Sequence, residues 1–286
     1  MNALASEKDV IRHNDDQSGG VASISEENKD ITSDLMLAES IDEMKEAFRL
    51  IYDRYLASGF QEPDPSSMRI GFHNLLPTSN LMIVKRNGKV AGTLTIIREC
   101  NGRLPIDVLF SEEIDKIRKK DSMICELSGL ATDAALPRRE SKDILLSLFK
   151  NTFILGHDIL GCTDFCMMIN PHHSAYYKKD FNCENIGKVK HLEKVNGAPA
   201  VPLRLNTITG EEVFQKNNPQ LYRYFTANDR RNIIERLSHE LRNQRKLYST
   251  EYISSLVKGK SNLLKTLTEK EKNILCCYYP ELREVV

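Results

Sequence analysis

The sequence predicts an α/β (α+β) fold in which helices flank a mixed, mostly antiparallel sheet and a helical extension follows. Apolar runs at residues 164–169 and 184–189 have the length of strands and enclose a short segment that carries Tyr176 and Tyr177. Two earlier apolar runs flank an Asn-Gly pair, which is typical of a hairpin turn. Strands joined in this way, together with amphipathic helices, indicate the mixed class.

The first element follows a polar N-terminal segment. Residues 1–33 are predicted to form a flexible tail, because they contain too few large apolar side chains to offset the entropy of ordering. A capping box follows, in which Ser40 stands three positions before Glu43. Apolar side chains then recur at helical spacing, so we expect a helix over residues 41–57. These side chains are Met44, Ala47, Phe48, Ile51, Tyr52 and Tyr55.

The next elements should build the first half of the sheet. The runs 81–84 and 90–97, on either side of the Asn-Gly turn, are expected to pair as antiparallel strands. A short helix is predicted from Ser111 to about residue 117, where basic side chains suit the C-terminal end of the helix dipole. Another strand is predicted over residues 123–131.

A longer helix and the extension complete the prediction. The helix should run from residue 137 to about 159, since a Pro-Arg-Arg sequence opens it and apolar side chains recur within it. Later the sequence becomes charged and helical, with a helix expected over 222–247 and a capping box formed by Thr268 and Glu271. We therefore divide the chain into the tail 1–33, a main domain 34–206 and a helical extension 207–286.

Charge and composition exclude several classes of function. Lys and Arg total 40, and Asp and Glu also total 40, so no net field draws the chain toward nucleic acid. No apolar run approaches the roughly 18–20 residues of a membrane span, and the first residues lack the pattern of an export signal. We therefore expect a cytoplasmic protein without a membrane span. Seven cysteines at irregular spacing predict reduced thiols rather than a disulfide framework.

Basic residues of the extension leave one alternative open. They could contact nucleic acid, but Glu235 and Glu240 interleave with them, which favours a solvated helix face. We therefore expect no nucleic-acid partner. The basic residues are Arg230, Arg231, Arg236, Arg242, Arg245 and Lys246.

Several passages of the main domain together resemble a known family. Each passage alone is a weak signal, and their order and spacing make the match specific. They are residues 47–55 with Phe60, 88–95, 104–107 with Phe110, Cys-Glu-Leu-Ser-Gly-Leu-Ala at 125–131, and 195–200. Across roughly residues 35–206 the chain resembles the GNAT superfamily of acyltransferases. Within it, the chain resembles the N-acyl amino acid synthases and, more distantly, the acyl-homoserine-lactone autoinducer synthases.

This resemblance implies a GNAT fold with splayed central strands. The strands 123–131 and 164–169 would diverge, and the gap would hold the extended arm of a thioester as an added strand would lie. The backbone amides of Leu130, Ala131 and Thr132 would then contact the thioester arm or its oxyanion.

Departures from the family pattern bear on the product and the donor. Autoinducer synthases carry an arginine where this chain has Gly129, which disfavours a homoserine-lactone product. The loop before the long helix lacks the glycines that cradle a pyrophosphate in acetyl-coenzyme A enzymes. It suits acyl carrier protein, whose phosphate and acidic surface basic side chains could meet, and the alternative is a solvated basic helix end. The candidates are Arg138, Arg139, Ser141 and Lys142, with Arg118, Lys119 and Lys120 nearby.

The implied reaction, acyl transfer from a thioester to an amine, needs a base and an acid. Glu126 is the candidate base, because burial among apolar side chains would raise its basicity, and the alternative is a structural carboxylate paired with Arg54. The resemblance to autoinducer synthases also makes Arg54 a candidate for ordering the acceptor loop, with a simple surface role as the alternative. The resemblance to the superfamily makes Tyr176 or Tyr177 the candidate acid for the departing thiolate, with packing against the sheet as the alternative.

The remaining expectations concern the acyl chain and cofactors. Leu127, Phe165 and Met167 are expected to line a tunnel for the chain. We expect no metal and no permanently bound cofactor, since the potential zinc ligands lack a clear second pair. These ligands are His172, His173, Cys162 and Cys166.

The sequence thus predicts an N-acyltransferase. It would move a medium or long acyl chain from an acyl-carrier-protein thioester, with acyl-coenzyme A as the other possible donor, to the amine of an amino acid or a related amine. One alternative is an acetyl-coenzyme A-dependent N-acetyltransferase. The other is a noncatalytic sensor of the same fold that holds an acyl ligand while the extension engages a partner.

Overall fold

One sheet organises the part of the chain that the structure describes. The computed structural model describes residues 35–99, 103–118, 122–227, 229–259 and 262–284, so the predicted tail lies outside the described residues. Within them, eight strands follow the order β1-β2-β3-β4-β5-β8-β6, and β7 also pairs with β8. β4 and β5 are parallel, and the other pairs of this sheet are antiparallel. The strands are β1 Leu35–Leu37, β2 Ser79–Arg86, β3 Lys89–Arg98, β4 Ile124–Thr132, β5 Asp164–Ile169, β6 Glu184–Asn185, β7 Lys190–Leu192 and β8 Ala198–Asn206.

Helices cover both faces of this sheet. Those of the main domain are α1 Ile41–Ala57, α2 Asp107–Asp115, α3 Arg138–Phe153 and α4 Ser174–Asp180. Those of the extension, within the described ranges, are α5 Gly210–Asn217, α6 Pro219–Phe225, α7 Arg230–Leu247, α8 Thr250–Gly259 and α9 Glu269–Tyr278.

Local sequence signals explain the first elements. α1 begins with the predicted capping box, in which the Ser40 side chain accepts from the Glu43 amide and the Glu43 side chain accepts from the Ser40 amide. The hairpin of β2 and β3 turns at Asn87 and Gly88, whose φ values of 51° and 75° lie in the left-handed region that Asn-Gly pairs favour. Both predictions are confirmed.

The predicted helix over 137–159 is also confirmed, with one irregularity. α3 continues as a π-helical turn, Ile154–Ile159, before the chain enters β5. Gly156 in this turn lies against the ring of Phe165, and a Cβ there would approach that ring to 2.4 Å. The close contact therefore explains why a glycine stands at this position.

Some boundaries differ from the prediction. α2 begins at Asp107 rather than at Ser111, because the Asp107 carboxylate accepts a 2.8 Å hydrogen bond from the Leu104 amide at the start of the turn. The strand predicted over 184–189 is reduced to the two residues of β6. β8 was not predicted, and it contains Pro199 and Pro202, which weaken the strand signal in sequence.

Alternating side chains of β2 separate two main cores. Met82 and Val84 belong to the core under α3, whereas Leu81 and Ile83 belong to the core under α1. A third cluster lies around α2 and includes Phe110. The two main cores therefore lie on opposite faces of the sheet.

The extension takes part in both main cores. Leu221 and Leu237 pack into the core under α3, and Tyr252 and Leu256 pack into the core under α1. The helix predicted over 222–247 is divided between α6 and α7. The division of the chain at residue 206 stays a prediction, while the packing shows that the extension covers part of both faces.

Candidate active site

The two central strands part midway along their length. β4 and β5 pair at three positions, and the last pair joins Glu126 to Cys166. β4 continues to Thr132 and β5 continues to Ile169. Beyond the Glu126–Cys166 pair, these described residues of the two strands do not pair with each other. The predicted splaying is therefore present, and the gap opens toward the carboxyl ends of both strands.

A bulge in β4 accompanies this divergence. The pairing of β3 with β4 shifts between Thr93 and Thr95, and Gly129 opposite the shift has a φ of 64°. The Gly129 carbonyl accepts a 2.7 Å hydrogen bond from the Thr93 hydroxyl. A Cβ at this glycine would lie 3.1 Å from Ile51 of α1, so a side chain is disfavoured by both conformation and space. Such a bulge bends its strand and locally disrupts pairing.

Exposure changes at the point where the strands part. Glu126 is 1% exposed, whereas Leu127 and Leu130 at the gap are half-buried. Ala131 is buried toward α1, and Thr132 is half-buried. Because alternate residues of an antiparallel strand turn their amides and carbonyls away from their neighbour, β4 offers such groups to the gap. An extended ligand could pair with them as a strand does.

Glu126 lies at the closed end of the gap, on the α2 side of the sheet. Its carboxylate accepts a 2.6 Å hydrogen bond from the Ile106 amide, just before α2. Burial raises the pKa of Glu126 to about 8, the Ile106 amide opposes this shift, and the negative charge of Asp107 adds to it. With this raised pKa the ionised carboxylate is a stronger base than that of an exposed glutamate, so it can accept a proton from an ammonium group as the pH approaches 8.

Arg54 lies in the last turn of α1 and is buried, with 8% of its surface exposed. The hydrogen bond that Glu126 accepts comes from the main chain of Ile106 and not from Arg54. The structure therefore does not join Arg54 to Glu126 directly. The role of Arg54 in ordering the acceptor side stays a prediction.

The two candidate tyrosines lie on α4, which follows the open end of β5. Tyr177 is buried, and its ring lies 6.1 Å from that of Phe149 in an edge-on arrangement. Tyr176 is half-buried, and burial followed by the charge of Asp180 raises its pKa above the ordinary value of 10.0. Its hydroxyl therefore stays protonated at neutral pH, as a proton donor must.

The donor-binding candidates lie where the gap reaches α3. Arg138, Arg139 and Lys142 are exposed in the first turns of α3, whereas Ser141 is buried at 3% exposure. Arg118 lies elsewhere, in ion pairs with the acidic residues around α2. The predicted candidates Lys119 and Lys120 lie outside the described residues.

The predicted tunnel residues share one face of the sheet. Leu127, Phe165 and Met167 all belong to the core under α3. Phe165 is 1% exposed because its ring packs on Gly156, so it forms a wall of the core. Leu127 is half-buried and lies nearest the gap.

The cysteines differ from the reduced state that the sequence predicts. The structure joins Cys125 of β4 to Cys162, just before β5, in a disulfide with Cα atoms 6.3 Å apart. The prediction was wrong for this pair, because parallel pairing of β4 and β5 brings together positions that are separated by 37 residues. Cys100 lies outside the described residues. Among the described residues, the free cysteines are Cys166, Cys183, Cys276 and Cys277.

Metal ligation was the other possible role for these cysteines. Across the described ranges, no group of three His, Cys, Asp or Glu side chains is arranged to hold a metal ion. Cys162, one of the four potential ligands, lies in the disulfide.

Sequence reasoning did not single out Arg69, which lies beside the last turns of α1. Its Nη1 donates a 2.9 Å hydrogen bond to the Gln61 side chain, and its guanidinium lies 4.1 Å above the ring of Tyr55. Burial lowers the pKa of Arg69 from 12.5, and the group remains charged at neutral pH. Among the described residues no carboxylate pairs with it. No local pattern marks this arginine, because its partners come from α1 and a loop.

Comparison with known proteins shows what this chain is similar to. No curated protein matches the chain. The model of the family described as N-acyl amino acid synthase FeeM matches residues 46–206. Among solved structures, FeeM from uncultured soil microbes is 22% identical, covering 62% of this chain and 97% of its own, with a TM-score of 0.52. The AHL synthase LasI is 17% identical, covering 60% of this chain and 88% of its own, with a TM-score of 0.47.

A mostly antiparallel sheet with two splayed parallel strands, flanked by helices, defines a GNAT-like acyltransferase fold. Because the family model matches more than half of the residues, the chain belongs to the FeeM family of N-acyl amino acid synthases. It is therefore an acyltransferase. In the described part of the chain, no helix has both the length and the apolar character that crossing a membrane requires.

Proposed function

We propose that this acyltransferase moves a medium or long acyl chain from acyl carrier protein to the amine of an amino acid or a related amine. The observation that carries the proposal is the gap between β4 and β5, which begins after the Glu126–Cys166 pair. The backbone groups that β4 turns toward this gap suit a phosphopantetheine arm laid along β4. The family to which the chain belongs supports an amino acid as acceptor.

The reaction would form one bond and break another. The amine nitrogen attacks the thioester carbonyl, the new C–N bond forms, and the C–S bond breaks. Glu126 would take the proton that the attacking amine loses, and a tyrosine of α4 would give a proton to the thiolate. Amides of β4 near Leu130 would stabilise the oxyanion of the intermediate.

The donor end favours acyl carrier protein over coenzyme A. Arg138, Arg139 and Lys142 present positive charge at the start of α3, beside the open end of the gap. Such a surface complements an acidic carrier protein and a single phosphate. The loop contains no glycine that would let a pyrophosphate approach the helix closely.

The acceptor end has a cation of its own. Arg69 is charged and half-buried, and its partners Gln61 and Tyr55 are neutral. An amino acid carboxylate could pair with this guanidinium while its amine points toward the gap. Arg69 would therefore select acceptors that carry a carboxylate.

Purified protein incubated with thioesters and amines tests this function. We expect mass spectrometry to detect an N-acyl amino acid when the donor is an acyl carrier protein loaded with a chain of eight to sixteen carbons. Acetyl-coenzyme A as the best donor would instead identify an N-acetyltransferase. Absence of product with every thioester, despite tight acyl binding, would contradict the proposal and support a sensor.

A further inference from the structure

An apolar cavity lies between residues of the main domain and residues of the extension. It is partly open to solvent, and its volume is about 40 Å³. The main domain contributes Phe153, Phe181 and Leu205 to the wall, and the extension contributes Phe214, Tyr222 and Phe225. The three wall residues from the extension lie outside the range 46–206 that the family model matches. This part of the wall therefore belongs to the extension of this chain.

The chemistry of the wall selects an apolar occupant. Its polar side chains already have partners: Asn206 and Thr207 bond to β5 and the loop before it, and Thr226 bonds to its own helix. The Arg230 guanidinium makes two hydrogen bonds, of 2.9 and 2.8 Å, to the carboxylate of Asp158. A polar ligand would find these groups occupied and would lose its own hydration.

Aromatic rings extend from this cavity to α4. Phe181 in the wall lies 5.6 Å from the ring of Tyr176 on α4 and 4.9 Å from that of Phe149 on α3. It also lies 6.5 Å from the ring of Phe214 of the extension. A chain that passes from the gap beneath α4 to the cavity would therefore have to displace the ring of Phe181.

We propose that the cavity receives the methyl end of the acyl chain and that α5 and α6 thereby set the longest chain that the enzyme accepts. The inference rests on the proposed function, since it assigns a site to the chain of that donor. It assigns a role in chain-length selection to part of the extension, which the family match does not cover.

The physical effect is a dependence of rate on chain length. Each methylene that enters an apolar cavity gains about 0.8 kcal/mol, which corresponds to about a fourfold rise in kcat/KM. The value of kcat/KM should rise with chain length until the cavity is full and should fall for longer chains. Phe214, Phe225 and Thr226 form part of the wall, so changes to these side chains should alter the chain length at which kcat/KM begins to fall.

Two variants and one matched control test the assignment. Phe214→Ala enlarges the cavity, and Thr226→Phe fills it. Phe72→Ala removes a buried ring from the core on the opposite face and controls for loss of stability. Each full-length variant is assayed with acyl carrier protein loaded with even-numbered chains of six to eighteen carbons.

We expect Phe214→Ala to move the preferred chain upward by at least two carbons and Thr226→Phe to move it downward by at least two carbons. Both should leave kcat/KM for the shortest accepted chain within about twofold of the wild type. Phe72→Ala should leave the preference unchanged. A preference that stays fixed in both cavity variants would overturn the assignment.

A binding measurement separates this inference from the proposed function. The fluorescent fatty acid cis-parinaric acid, whose chain ends in a methyl group, should bind the wild type, and Thr226→Phe should weaken its binding at least tenfold. If no thioester is turned over but the probe binds in this way, the proposed reaction fails while the cavity assignment holds. Equal probe binding by the wild type and Thr226→Phe would contradict the assignment whatever the activity.

Discussion

Among single residues, Glu126 shows how burial changes the chemistry of a side chain. The strand places its carboxyl group in an apolar cluster with one main-chain donor, at Ile106, and a like charge at Asp107. Burial disfavours the charged form, so the group binds a proton more tightly than an exposed glutamate does. This is the property that an amine-deprotonating base needs.

The first prediction is a pH profile for acyl transfer. With a pKa of about 8, Glu126 is mostly protonated at pH 7, so the wild-type kcat/KM should rise with pH and level off above about pH 8. Glu126→Gln should lower kcat/KM by about 10²-fold or more and abolish this inflection. Initial rates between pH 6 and 9.5 measure both effects. An unchanged profile in the variant would show that another group is the base.

The same shift predicts a pH dependence of stability. The pKa is raised on folding from 4.5 to about 8, so the stabilisation is fully present below the lower value and is lost as pH rises through the higher one. The free energy of unfolding of the wild type should therefore fall by roughly a few kcal/mol between pH 5 and 8.5. The fall should be smaller in Glu126→Gln, which lacks the titrating carboxyl group. Urea unfolding at both pH values gives the difference. An equal fall in the free energy of unfolding for the wild type and Glu126→Gln would argue against the raised pKa.

Tyr176 and Tyr177 allow a matched comparison on one helix. Burial keeps the Tyr176 hydroxyl protonated, so Tyr176→Phe should lower kcat by about 10²-fold while the KM for the donor stays within twofold. Tyr177 packs its ring against Phe149, so Tyr177→Phe should retain most activity. The reverse result would assign the proton to Tyr177. Full activity in both variants would leave packing as their role.

At the level of elements, we propose that the basic start of α3 selects the donor. Exchanging Arg138 and Arg139 together for Glu should raise the KM for acyl carrier protein thioesters at least tenfold with little change in kcat, because the charges act on encounter. The effect should shrink as salt is added. Lys258→Glu combined with Lys265→Glu serves as the control, since it makes the same change in net charge at two other exposed positions. An equal effect at both sites would indicate nonspecific charge.

Across the whole molecule, an ion pair made by a buried lysine connects the main domain with the extension. Lys150 of α3 is 2% exposed, and its Nζ lies 2.8 Å from a carboxylate oxygen of Asp229, just before α7. Because Asp229 is partly exposed, breaking the pair should cost less than for a fully buried one. Asp229→Asn should therefore lower the free energy of unfolding by about 1–3 kcal/mol.

The partner variant completes this test. Lys150→Met combined with Asp229→Asn should recover part of the lost stability, because no unpaired charge then remains in the core. Urea unfolding should show one cooperative transition in every protein, since the extension shares both main cores. A separate early transition for the extension would show that it folds on its own.

Much of the main domain could be predicted because its signals are local. The capping box at Ser40, the Asn87-Gly88 turn and the spacing within α3 each act over a few residues. β8 was missed for the opposite reason: its prolines weaken the local signal, and its place is fixed by pairing with β5. The second half of the sheet therefore needed the structure.

The candidate site shows the same division. The sequence indicated Glu126 and the tyrosines through a resemblance, and it marked the basic start of α3. It could not show that the Ile106 amide holds Glu126, that Arg69 lies on Tyr55, or that Cys125 meets Cys162. Each of these contacts joins residues from different elements.

The sequence by itself determined the fold class, the family resemblance, the hairpin and the helices of the main domain, because caps, turns and periodicity depend on near neighbours. The tertiary structure alone decided where β4 and β5 part, which group holds the buried carboxylate, and how the extension lines part of a cavity. Strand pairing and burial join distant parts of the chain, and no local pattern records which parts will meet.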